Sequence, residues 1–237
     1  MKALLALVWL AGTAFAEGQF QVEPTRVDLS TQAPASAIVI SNHGSVPLRL
    51  EAKAFRWTED ADGNQQLAQT SDVIVRPAIV EVPANGSRTL RIGTTAASAG
   101  SEASYRVFVE ELPNPKTLKK GQITVLTRIG VPVFLAPKQS KQALAPVVAI
   151  DGDHAVVTVK NSGTEHVKLM KVRVTAMHDG KIHWQHETPG WYVLAGADRR
   201  FPVGLATDRC AQGDSLVGEI VDEDNHTTAT PLGSCER

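Results

Sequence analysis

After residue 16 the sequence is cut into short pieces by turn-forming residues, and nothing between the cuts carries a long amphipathic helical period. Ala37 to Ile40, Leu48 to Phe55, Val73 to Val75, Ser87 to Ile92 and Tyr105 to Val109 are β-branched or alternating runs bounded by Gly, Pro, Asn or Ser. Such runs read as strands. Asn42-His43-Gly44, Asp62-Gly63-Asn64 and Ala84-Asn85-Gly86 supply residues that accept left-handed turn conformations at little cost. The second half repeats the style with Ala155 to Lys160, a turn at Asn161-Ser162-Gly163, and Val167 to Ala176. Asp179-Gly180, set between Ala176-Met177-His178 and Lys181-Ile182-His183-Trp184, predicts a tight hairpin. The fold class is all-β, built from sandwiches.

Residues 1–16 stand apart. Lys2, the apolar run Ala3 to Ala11 and the small-residue site Ala14-Phe15-Ala16 have the layout of an export signal cleaved before Glu17. The remaining 221 of the 237 residues suit two domains of about 110 residues each. Pro137 to Pro146 mixes proline, lysine, glutamine and serine with little to bury, so the boundary is placed near Ala136 to Leu144. The expected division is 1–16 signal, 17–138 first sandwich and 139–237 second sandwich.

No segment after the signal approaches the roughly 20 apolar residues of a membrane-spanning helix, so stable membrane insertion is not expected. A hydrophobic content of 43% permits ordinary packed cores. A formal net charge of −1, which becomes −2 when Lys2 leaves, gives no general attraction to nucleic acid or anionic surfaces. Cys210 and Cys235 are the only cysteines. An exported chain can join two such residues in a disulfide, worth about 3 kcal/mol in the chain-entropy model, or leave them as free thiols.

One strand is unusual. Ile123, Val125, Thr127, Ile129, Val131 and Val133 form a long alternating series with Pro132 inside it, where a central strand would lose a ladder hydrogen bond. The proline demotes the strand to an edge. A long apolar edge invites another chain to pair with it, whether a partner or a second copy. Lys116, Lys119 and Lys120 precede it in a basic loop that discourages self-pairing.

Residues suggestive of enzymatic or metal chemistry lack their usual surroundings. Gly213-Asp214-Ser215-Leu216 matches the block of one serine-hydrolase family, but Ser215 lies near the end of a β-rich chain, and at the Asp-x-x-His spacing before His226 stands Glu223 rather than an aspartate. His178, His183 and His186 cluster around the Asp179-Gly180 hairpin without the second ligand pair that a metal site needs. No phosphate-binding glycine loop opens a helix. Neither an enzyme nor a cofactor is expected, and no metal site is assigned.

In order along the chain, several motifs resemble the periplasmic chaperones of chaperone/usher pilus assembly. They are Val22-Glu23-Pro24-Thr25-Arg26-Val27, Asp72 to Gly86 with its two prolines, Thr89-Leu90-Arg91-Ile92, Tyr105 to Val109, the strand ending Pro132-Val133-Phe134-Leu135-Ala136-Pro137, and Trp191-Tyr192-Val193-Leu194-Ala195-Gly196. The resemblance spans the whole mature chain. It implies two Ig-like domains in an L-shaped arrangement. It also implies a periplasmic protein that donates a strand to pilus or fimbrial subunits and passes them to an outer-membrane usher without nucleotide.

The donor strand would be Ile123, Val125, Thr127 and Ile129, each buried Ile or Val contributing roughly 1.5 to 3 kcal/mol. The resemblance further implies a pair of basic residues that hold the subunit's C-terminal carboxylate. Arg26 matches the arginine, but Gly130 stands where the lysine belongs, leaving Arg128 or Arg91 as substitutes. Gly130-Val131-Pro132-Val133-Phe134 is similar to a divergent branch serving spore-coat-U-like subunits, and the nine residues Asn114 to Gln122 resemble the short loop of chaperones that build pili rather than thin fibres. Two rivals remain. A secreted β-sandwich adhesin or structural pilus subunit would need a donor segment at its mature N-terminus, and Glu17 to Glu23 is short and mixed. An enzyme or metal protein built on Ser215 or the histidines would show esterase activity or bound zinc.

Overall fold

The computed structural model describes residues 20–60, 62–113, 125–152, 154–204 and 214–234, with side chains to 230. Among them every regular element is a strand. The first half carries β1 (Phe20–Glu23), β2 (Val27–Leu29), β3 (Ala35–Asn42), β4 (Leu48–Glu59), β5 (Gln65–Gln69), β6 (Val73–Arg76), β7 (Ile79–Val82), β8 (Ser87–Thr94), β9 (Ala103–Glu111) and β10 (Arg128–Leu135). One sheet has the order β1-β3-β8-β6; the other has β2-β10-β9-β4-β5, with β7 also on β4. Two of the crossings between these sheets are very short, from β1 to β2 at Pro24 and from β6 to β7 at Pro77, and each proline is preceded by a cis peptide bond.

The second half carries β11 (Leu144–Asp151), β12 (His154–Asn161), β13 (Val167–His178), β14 (Lys181–Pro189), β15 (Tyr192–Val193), β16 (Asp198–Gly204), β17 (Ser215–Asp222) and β18 (Thr227–Ser234). Its sheets are β11-β12-β16 and β14-β13-β17-β18, with β15 on β13. The Asp179-Gly180 hairpin is observed between β13 and β14. Both turn residues adopt positive φ, 48° and 75°, as a two-residue turn that follows the strands' twist requires.

Period-2 alternation builds each core. In β8, Leu90 and Ile92 are buried and Arg91 between them is exposed. Ile38, Ile40, Leu50, Val107, Val109 and Val133 join them in the first core. Val157, Val159, Val172, Val174, Leu216 and Ile220 anchor the second. A third cluster, Trp57, Phe134, Tyr192 and Leu194, joins residues from the two halves. Around it Glu102 reaches the His166 ring at 2.9 Å, and Glu59 pairs with Arg199.

The long alternating series forms a shorter strand than expected. β10 begins at Arg128 because its partner β9 ends at Glu111, whose amide donates to Thr127 O at 2.9 Å. Ile123 lies outside the described residues. The edge itself is observed: β9 lines one side of β10 throughout, whereas β2 reaches the other side only at Val133–Leu135. Among the described residues, Arg128 to Pro132 therefore have no strand on that side.

Candidate functional site

The register of the β2-β10-β9-β4 sheet determines what its outer face carries. Val27, Leu29, Val131, Val133, Leu135, Tyr105, Val107 and Val109 point into the core. The alternate residues Asp28, Gly130, Pro132, Phe134, Arg106, Phe108, Phe55 and Trp57 therefore take the other face. Val27 pairs with Val133, and Pro132 with Arg106. Arg26, Pro132 and Arg106 thus lie on one row across the sheet. Two strand spacings, about 10 Å, separate the backbones of the two arginines, a gap that long side chains can bridge.

Arg26 sits just before β2, after the sheet change at Pro24. Its Nε donates to Asp28 Oδ2 at 3.1 Å, and its Nη1 donates to both oxygens of Glu223, at 2.8 and 3.0 Å. Glu223 belongs to the turn between β17 and β18, 197 residues away. Partial burial works against the guanidinium's charge, but the bond and charge of Glu223 and the charge of Asp28 outweigh it and hold the pKa above its ordinary value.

Arg106 stands at the other end of the row. Its guanidinium lies over Trp57 at 4.3 Å and nearer the rim over Trp191 at 5.6 Å. Its Nε is buried without a hydrogen-bond partner, and no carboxylate among the described residues lies within ion-pair distance. Burial pushes its pKa below the usual arginine value, an effect only partly offset by Tyr192 and Glu59. A cation beside two indoles, with no carboxylate partner among the described residues, is a ready receptor for an anion.

Gly130 makes that arrangement possible. A Cβ built there would lie 2.9 Å from Phe108 Cε1 and 3.5 Å from Arg106 Cδ. The phenyl ring and the arginine stem occupy the room that a side chain at 130 would need. Phe108 in turn packs edge-on against Phe55 at 5.7 Å, and Arg128 covers its ring at 3.7 Å.

Of the other expected residues, Arg128 shares the outer face but is paired with Glu110 at 2.6 Å, four residues along β10 from the row of Arg26. Arg91 is a correction. It lies in β8, in the opposite sheet, facing outward between Leu90 and Ile92, so the thickness of the sandwich separates it from Arg26. Among the expected donor residues, Val125 is 82% exposed, Thr127 is partly covered, and Ile129 packs partly on the chain's own core. Cys210, Cys235 and the loop lysines Lys116, Lys119 and Lys120 lie outside the described residues.

The histidines are only partly brought together. A bulge between Ala176 and Met177 leaves His183 without a partner in the β13–β14 ladder. His178 Nδ1 and His183 Nδ1 meet the two oxygens of the fully buried Asp214 at 2.8 and 2.9 Å, while His186 stacks on Trp184. Ser215 Oγ donates to Met177 O at 3.3 Å, and His226 bonds Asp222. Among the described residues, His178 and His183 are engaged by Asp214 and His226 by Asp222 rather than by the serine.

Sequence reasoning did not single out Arg106, Phe108 or Glu223. Arg106 carried one visible signal: a charged residue inside an otherwise apolar strand. Its relation to Gly130 depends on the β9–β10 register, and Glu223 depends on how the two halves meet.

The family model for the pili and flagellar-assembly chaperone, PapD N-terminal domain, matches residues 19–141. No curated protein matches the chain by sequence. Similar solved structures include the CsuC–CsuE chaperone and tip-adhesion-subunit complex from the archaic Csu pili of Acinetobacter baumannii, with TM-score 0.65, 18% identity, and 92% of this chain and 99% of that one covered. The CupB2 chaperone of Pseudomonas aeruginosa gives 0.55, 18%, 89% and 98%. The Salmonella enterica SafA pilin complex with the SafB chaperone gives 0.57, 16%, 90% and 96%.

Proposed function

Because the chain belongs to the pili and flagellar-assembly chaperones of the PapD type, with two Ig-like domains and no enzymatic role, we propose that it binds pilus subunits in the periplasm by lending them the edge of β10. The supporting observation is that edge, open from Arg128 to Pro132 and preceded by Val125, a large apolar residue with 82% of its surface in water. A subunit strand laid there would satisfy the unpaired backbone groups, while Ile123, Val125, Thr127 and Ile129 present alternate side chains to its groove. Delivery to an outer-membrane usher would exchange this strand for another.

The subunit's C-terminal carboxylate would be received by Arg26 and Arg106, the two guanidiniums on one row of the sheet. Arg106 is the better candidate for the missing lysine's role than Arg128, which already has Glu110. Hydrogen bonds to charged groups contribute about 1.5 to 3 kcal/mol each, enough to orient a subunit as it pairs. Gly130, whose missing side chain leaves room for the Phe108 ring and the Arg106 stem, is what this chain has in place of a lysine-bearing strand.

Native mass spectrometry of the mature protein, purified from its own periplasm, tests the reading. The expected result is a one-to-one complex with a small β-rich subunit, lost when Ile123→Asp and Val125→Asp are combined in a folded protein. Capture unchanged in that variant would remove the strand-donation mechanism.

A further inference from the structure

The guanidinium of Arg26 is already engaged by two carboxylates. A planar carboxylate binds arginine best through two N–H groups along one edge of the fork, either Nε with an Nη or the two Nη groups together. Asp28 takes Nε and Glu223 takes Nη1 with both of its oxygens, so each edge has one nitrogen in use. An incoming carboxylate finds neither edge complete.

The two occupants are not equivalent. Asp28 lies two residues along the same strand and moves with Arg26. Glu223 comes from the other half of the molecule, and its turn is stiffly built. The Glu223 amide donates to Lys168 O at 3.0 Å, Asp222 Oδ1 accepts the amides of Asp224 and His226 at 3.0 and 2.8 Å, and Asn225 adopts the left-handed conformation at φ 63°. The turn thus presents a carboxylate to Arg26 from a fixed support.

We propose that Glu223 is an internal competitor for Arg26, occupying the anchor in the unloaded protein and leaving it when a bound strand brings its own C-terminal carboxylate. The inference rests on the reading of Arg26 as the carboxylate anchor. Its consequence is a tempered affinity for the free acid. A ligand with a free carboxylate must displace Glu223 before it pairs with Arg26, whereas one without it leaves the Arg26–Glu223 contact in place and gains nothing there. Arg106, with no carboxylate partner among the described residues, is open to the same ligand from the start.

The test compares an N-terminally labelled hexapeptide of alternating Val and Thr, as free acid and as C-terminal amide, by fluorescence anisotropy. Five forms of the mature chain are titrated: unaltered, Glu223→Gln, Glu223→Ala, Arg26→Ala and the double variant of Arg26→Ala with Glu223→Gln. Glu223→Gln should bind the acid about threefold to fivefold more tightly, the range of a partly exposed ion pair, and the amide unchanged. Glu223→Ala, which cannot even accept a neutral hydrogen bond, should gain at least as much. In the double variant the gain should vanish. An acid preference that depends on Arg26 but does not rise in either Glu223 variant overturns the competition and leaves the anchor standing. Equal binding of acid and amide by all five chains, or no binding by any, overturns both.

Discussion

At position 130 the absence of a side chain decides the chemistry of its neighbours. Gly130→Ala places a Cβ 2.9 Å from the Phe108 ring, in a layer already filled by Phe55 and the Arg106 stem. The expected cost is about 1 to 3 kcal/mol in urea unfolding, the usual penalty of overpacking. Gly130→Lys should destabilise at least as much without improving capture. For the arginines, Arg26→Ala and Arg106→Ala should each weaken subunit capture about tenfold or more while leaving the fold intact, and Arg128→Ala should change it less than about threefold. Titration of the purified subunit against each variant distinguishes them. Arg26 was legible because it sits in a local motif beside Pro24. Arg106 was not, because its significance comes from Pro132 and Gly130 on a strand more than twenty residues away, across a register that sequence does not display.

At the scale of the strand, the two ends of the expected donor segment differ physically. Val125 is exposed, so Val125→Asp should leave the unfolding midpoint within about 0.5 kcal/mol of the parent and still impair capture. Ile129 packs partly on the first core, so Ile129→Asp should cost stability, about 1 to 3 kcal/mol, in the unloaded protein. Denaturation of both variants without any subunit is the check. Most strands were legible because the alternation is local and glycine, proline and asparagine mark its ends. The start of β10 was not. The apolar series runs past Ile129 towards Ile123, but a strand also needs a partner, and β9 stops at Glu111. Pro132 did identify the edge, since a proline's lost N–H is tolerated where a ladder is incomplete.

Across the whole molecule, the two halves are joined by the Trp57–Phe134–Tyr192–Leu194 cluster and by a buried ion pair. Glu59 lies under that junction with its carboxylate on Arg199 and on the Leu194 amide. Burial raises its pKa despite those partners. A raised carboxyl contributes stability that is fully present below its ordinary pKa and is lost as pH rises through the raised value. Arg199→Met removes the nearest positive charge, so its deficit should be largest at neutral pH, about 3 to 5 kcal/mol, and should shrink as pH falls and Glu59 takes up a proton. Urea unfolding at pH 7.5 and pH 5 measures it.

With Arg26 as the carboxylate anchor, the point at which β2 joins β10 would act as a ruler. β2 closes the edge from Val133 onward, and Arg26 stands immediately before that closure. A client strand anchored there by its terminal carboxylate runs parallel to β10 and cannot slide further. Val125 is seven residues from Pro132, about 23 Å of extended chain. Counting back from a client's last residue therefore identifies which of its side chains meets Val125. One residue added beyond that end would slide the whole strand by one step and turn its apolar face away from the groove.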